Sequence, residues 1–160
     1  MQSRPDRTID PAALQTLPGF ETYLAKSGLE RGLVNLVVLR ASQIYGCAYC
    51  IDMHSKDLRA EGETEQRLYL LDACREAPFY SDRERAALCR TEAVTKPTDQ
   101  QVPDSVYQEA RRFLSEKELI GLTIAVIAGN GWNRMNIAFQ KVAGDYQPRA
   151  AVQHRTTSGS

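Results

Sequence analysis

RGLVNLVVLRASQI, residues 31–44, is the stretch on which the fold turns. Leu33, Val34, Leu36, Val37, Val38, Leu39, Ala41 and Ile44 crowd it so densely that it must lie largely inside the molecule. Its valines invite a strand reading. Strict alternation is absent, however, and the run is longer than the usual five or six residues of a strand. The segment is predicted to be the central helix of an all-α bundle.

Helical patterns continue on both sides. Upstream, Phe20, Tyr23 and Leu24 share one helical face, with a stop near Ser27 and Gly28. Residues 1–18 read as a loosely ordered lead-in with a turn at Pro11 to Leu14. Downstream, Gly46 interrupts the apolar run and Cys47 to Arg59 resumes helical spacing. A further helix is predicted from Thr64 and Glu65 through Leu68, Leu70, Leu71 and Ala73, closed by Pro78. Ser81 with Glu84 forms a capping box for a helix to about Thr95, and Ser115 with Glu118 forms another. Between these, Pro97 to Pro103 reads as a polar connection, and Asp104 or Ser105 as the cap of a helix from Val106 to Phe113. The last helix is long and apolar, and Gly121, Ala125, Ala128 and Gly129 would let a neighbouring helix approach closely. A single domain over 19–146 with a polar tail over 147–160 results. No repeat or glycine-rich phosphate loop stands out.

The 160 residues carry 20 lysines and arginines against 20 aspartates and glutamates. A net charge of zero offers no field for polyanions, so nucleic acid is not an expected partner, and it favours self-association. No apolar run approaches the roughly 20 residues that span a bilayer, and the first residues do not resemble a signal peptide. A soluble, cytoplasmic protein without membrane contact is expected. In that compartment a close cysteine pair reads as chemistry rather than as a staple. Cys74 and Cys89 lie in apolar helical patterns, where cysteine serves as a small hydrophobe.

Cys47, Cys50 and His54 stand at i, i+3 and i+7, so all three project from one helical face, expected at the surface. The helix dipole, the neighbouring thiol and the imidazole each favour a thiolate. Histidine also shuttles protons near neutral pH. A thiolate that attacks a peroxide becomes a sulfenic acid, which a second cysteine condenses to a disulfide. Zinc is the competing use of such a trio. The other histidine, His154, lies in the polar tail, and Cys74 and Cys89 sit in separate patterns, so a closed four-ligand site is hard to assemble. A redox centre with no metal and no cofactor is preferred.

The run ASQIYGCAYCIDMH, residues 41–54, resembles the signature of the carboxymuconolactone decarboxylase superfamily in its AhpD-like alkylhydroperoxidase branch. YSDRERAAL at 80–88, VPDSVY at 102–107 and AGNGWNRMNIA at 128–138 follow in the order and spacing of that branch, so the resemblance covers roughly residues 20 to 140. It implies an AhpD-like helical bundle assembled as trimers or hexamers, with the cysteines near subunit contacts. It implies a peroxidase acting on organic hydroperoxides or hydrogen peroxide and recycled by a dithiol reductant or a reductase protein. Cys50 would be the peroxidatic cysteine, Cys47 the resolving one and His54 the proton relay. Helix-dipole reasoning alone favours Cys47 as the more acidic thiol. Lactone decarboxylation and a non-enzymatic, redox-sensing oligomer are the alternatives.

Two positions depart from the peroxidase pattern. Twelve residues before Cys47, where the family has a proton-accepting glutamate, stands Asn35, whose amide takes up no proton near neutral pH. Between the cysteines Tyr49 replaces a histidine and does not titrate usefully near pH 7. Glu84 and Glu92 are the candidate replacement carboxylates. Trp132, Asn133, Arg134 and Asn136 form a second polar cluster, read first as a helix or subunit contact; Asn136 or Trp132 could instead line the way to the thiols.

Overall fold

The computed structural model describes Arg4 and residues 7–148. Among these residues every regular element is a helix: α1 (Pro11–Leu14), α2 (Pro18–Leu24), α3 (Arg31–Tyr45), α4 (Ala48–Ala60), α5 (Glu65–Tyr69), α6 (Asp82–Thr95), α7 (Pro97–Gln100), α8 (Asp104–Arg111) and α9 (Glu116–Ala138), with single 3₁₀ turns at Arg7–Ile9 and Leu71–Ala73. No helix of the described residues is long and apolar enough to cross a membrane.

The crowded segment is indeed the central helix. α3 packs against α9, α4 and α6, and it is apolar on two faces because it separates two cores. Leu33, Val37 and Val38 join Ala87, Ala110, Leu119, Leu122, Ala125 and Val126 on one side. Leu36 and Leu39 join Leu58, Leu68, Leu71, Tyr80 and Leu88 on the other. Gly129 acts as expected, since a Cβ there would lie 3.0 Å from Val38 Cγ1 of α3, whereas one on Gly121 would lie 3.0 Å from Leu29 Cδ1 in the connection before α3. Both predicted capping boxes form, with Ser81 and Ser115 each accepting from the backbone of the third helical residue and Glu84 and Glu118 each reaching back.

Three boundaries differ from the sequence expectation. The helix expected to run from Glu65 to Pro78 ends at Tyr69 and gives way to the 3₁₀ turn. Leu68, Leu71, Cys74 and Ala77 are all buried; that repeat of three suits a 3₁₀ spiral, whose side chains eclipse at i and i+3, better than a period of 3.6. The connection after Pro97 contains the one-turn α7, because proline is well placed at a first helical position. α8 begins at Asp104 itself with no side-chain cap: the Pro103 carbonyl accepts from Val106 and Tyr107. At the other end, residues 144–146 fold back onto α4. Lys56 donates to the Gly144 and Tyr146 carbonyls, the Gly144 N–H donates to Asp52, and the Tyr146 hydroxyl donates to Asp57 at 2.8 Å. The polar tail after Pro148, with His154, lies beyond the described residues.

Candidate active site

The thiols are placed by the way α3 ends. Gly46 adopts φ 68°, a left-handed conformation that glycine reaches at little cost. The Gly46 N–H then donates to Gln43 O and the Cys47 N–H to Ser42 O, the two bonds of a Schellman motif. Cys47 is also the N-cap of α4: its backbone is extended and its sulfur accepts the Cys50 N–H at 3.3 Å. One residue thus closes one helix and opens the next. Helix geometry carries Cys50 to the same side, and the two are joined as a disulfide with Cα atoms 5.3 Å apart.

The pair was expected at the surface and is not there. Cys47 is 2% exposed and Cys50 1%, because α4 presses its first turn against α3 and α9. From α9, Asn136 donates its Nδ2 to Cys50 Sγ at 3.2 Å. Asn136 also lines a cavity of about 320 Å³ whose walls include Val34, Val38, Met53 and Trp132 and whose polar groups include Asn35, Tyr49, His54 and Asp57. The cysteines themselves are not in that wall. Asn136 thus touches both the cavity and the sulfur pair.

His54 keeps a partly accessible surface on the cavity, yet protein atoms surround most of the ring, and this burial pushes it down to about 4, against a smaller opposing pull from Asp57. A ring that is neutral at pH 7 cannot lend a thiolate the positive charge that the sequence reading assigned to it; it can still accept a proton. The same depression couples folding to pH. Between about 4 and the ordinary 6.5 the unfolded chain binds a proton that the folded chain refuses, so stability rises with pH there. That contribution is complete above pH 6.5 and is lost as the pH falls to about 4. Urea midpoints measured across this window should fall with pH in the wild type, and less steeply in His54→Asn. Glu118, held to about 2 first by the Ser115 backbone N–H and then by Arg83, acts below the window.

Asn35 lines the cavity and donates to Glu61 at 2.9 Å, while Glu61 also pairs with Arg31. The structure brings neither proposed replacement carboxylate to this place. Glu84 is engaged by Arg67 and by its own capping box, and Glu92 by Arg40 and Arg75 on the wall of a different cavity. The carboxylates that do line the thiol-side cavity are Asp57 and Glu21, the latter accepting from the Trp132 indole N–H at 2.8 Å. Asp57 follows His54 by three residues, a helical spacing that could have identified it from sequence. Glu21 lies 111 residues from Trp132 and carried no such signal.

In the second polar cluster, Asn133 is buried and accepts from Ser42, tying α9 to α3, as a packing role requires. Arg134 lies outside, over the Tyr45 ring. Cys74 is buried in the core, where burial raises its thiol, and Cys89 is half-buried. No cluster of three potential metal ligands occurs among the described residues.

A family model described as the carboxymuconolactone decarboxylase family matches residues 11–93. The uncharacterized protein YdfG of Bacillus subtilis is 40% identical over 130 residues, which is 81% of this chain and 88% of that one. A crystal structure of a protein of unknown function from Agrobacterium tumefaciens, provisionally assigned to antioxidant defence as AhpD, superposes with a TM-score of 0.85 at 36% identity, over 91% of this chain and all of that one. The debrominase Bmp8 shares the fold at 20% identity, with a TM-score of 0.75 over 84% of this chain and 73% of its own.

Proposed function

The chain belongs to the carboxymuconolactone decarboxylase family, on its AhpD-like side, and from that premise we propose that it is a thiol-dependent peroxidase reducing organic hydroperoxides or hydrogen peroxide through a dithiol–disulfide cycle. The observation that carries the reading is the pairing of Cys47 with Cys50 across the first turn of a helix, beside a cavity that holds a histidine and a carboxylate. A disulfide of this span closes without moving the backbone, which is what a resolving step needs. Cys50, bonded to a residue of the cavity wall, is the attacking sulfur, and Cys47 resolves it. His54 starts neutral, accepts the thiol proton and passes it to the leaving alkoxide. His54 thus takes the proton-accepting role that Asn35 cannot fill, and Asp57 beside it steadies the imidazolium.

The oxidised pair is returned by an external dithiol, which fits a reducing, cytoplasmic setting. Self-association, as trimers or hexamers, is part of the same proposal. Ile120 and Ile127 on the outer face of α9 stand 61% and 46% exposed and offer an apolar stripe for it.

The test is consumption of cumene hydroperoxide by the purified protein with dithiothreitol as reductant. Turnover proportional to protein, above the rate of dithiothreitol alone, is expected. Wild-type protein that forms its disulfide reversibly but consumes no peroxide would remove the peroxidase reading in favour of a redox sensor.

A further inference from the structure

α9 places three asparagines, Asn130, Asn133 and Asn136, at i, i+3 and i+6, each at most 7% exposed. A face that packs against α3 and α4 has no packing use for amides, since each buried polar atom left without a partner costs about 1–3 kcal/mol. Asn133 has a structural reason in Ser42. Asn136 has a different one: of the three, it is the one bonded to a reacting atom, Cys50 Sγ. A thiolate or disulfide sulfur can only accept, so the amide must turn its N–H toward it. Its Oδ1 is therefore left over, buried and without a partner. Asn130 Oδ1 and Asn133 Nδ2 are also buried without a partner, so what singles out Asn136 is that its idle oxygen belongs to the amide that touches Cys50 Sγ.

We propose that Asn136 is a catalytic residue that serves Cys50 in two oxidation states: its Nδ2–H stabilises the thiolate, and its Oδ1 accepts the O–H of the sulfenic acid. The thiolate attacks the terminal oxygen of a hydroperoxide; the S–O bond forms, the O–O bond breaks, and the alkoxide takes a proton to leave as the alcohol. The new hydroxyl sits on the atom that the amide already touches, next to the idle Oδ1. The Cys47 thiol then attacks Cys50 sulfur, the S–O bond breaks, and the hydroxyl leaves as water with the Cys47 proton. The two electrons lost by the dithiol are those gained by the peroxide. The first half of the proposal is independent of the peroxidase reading, whereas the second rests on it.

The two halves are tested in a Cys47→Ser background, which keeps Cys50 from forming its disulfide. Alkylation of Cys50 by iodoacetamide, followed on its own peptide by mass spectrometry across pH, reports the thiolate. Loss of a hydrogen bond to a charged group should slow the reaction at pH 7 about tenfold in Asn136→Ala, and further in Asn136→Asp, with the profile displaced to higher pH. Profiles that superpose on the parent overturn the first half. Because either variant could lose its fold, the side-chain amide resonances of Asn136 are followed in the parent protein as well: they should titrate together with Cys50, and resonances that stay fixed overturn it. After a pulse of cumene hydroperoxide, trapping by dimedone measures the sulfenic acid. Its lifetime should shorten about fivefold in Asn136→Ala, the worth of one neutral hydrogen bond. An unchanged lifetime overturns the second half. A parent protein that forms no sulfenic acid removes the peroxidase reading together with that half, and leaves the alkylation result standing.

Discussion

Cys50→Ser should abolish peroxide consumption, with a loss of at least about 10³-fold, because removal of a nucleophile leaves only what binding and positioning contribute. The serine hydroxyl is nearly isosteric but does not ionise near neutral pH and forms no disulfide. Folding should survive the change: the sulfur bears no backbone-capping duty, which falls to Cys47. Cys47→Ser separates the roles. It retains a side chain able to cap α4 and should still allow one round of oxidation at Cys50, but no catalytic cycle. Stopped-flow oxidation followed by steady-state assay distinguishes the two variants. A first oxidation lost in Cys47→Ser and retained in Cys50→Ser would reverse the assignment of attacking and resolving sulfur, as the helix-dipole argument for Cys47 would have it.

The largest effect on stability is expected at α3. Leu39 is 1% exposed and packs with Leu36, Leu58, Leu71 and Leu88 between α3, α4 and α6. Leu39→Ala should lower the free energy of unfolding by about 2–5 kcal/mol, the sum of lost transfer energy and a cavity that close-packed leucines cannot collapse to fill. Against a total stability of about 5–15 kcal/mol this is a large share, and a fall in Tm of roughly 10 °C should accompany it. Differential scanning calorimetry checks the value. A change below 1 kcal/mol would mean that the second core is looser than its burial indicates.

What the sequence disclosed follows its physics. Helices with strong local signals were legible: the Ser81 and Ser115 capping boxes fix two starts, and the crowding of residues 31–44 fixes α3. The segment after Tyr69 was misread because its apolar residues are separated by three, a spacing that an α-helix and a 3₁₀ turn both accommodate over a short span. At the site, the pairing of Cys47 with Cys50 was legible because the two stand three residues apart at one helix start. Their burial was not, since it depends on α9, whose closest residue, Asn136, is 86 positions from Cys50. Carboxylate partners failed for the same reason. Glu84 and Glu92 lie on a helix of suitable composition, but arginines from elsewhere claim both. Asp57 stood in plain view on α4, and only the cavity reveals that it faces the same space as His54.

The junction at Gly46 and Cys47 also determines how this chain can change in length. An α-helix turns by about 100° per residue. One residue added between Ile44 and Ala48 would swing all of α4, carrying His54 and Asp57 away from the cavity and breaking the bond between Asn136 and Cys50. With a single residue shared by two caps, there is no slack to absorb it. The connection over 97–103 is different, for neither it nor the one-turn α7 meets the thiol-side cavity. Insertions and deletions should therefore accumulate there and be excluded at the hinge, so that the spacing from α3 to the first cysteine is a ruler fixed by helical pitch rather than by chemistry.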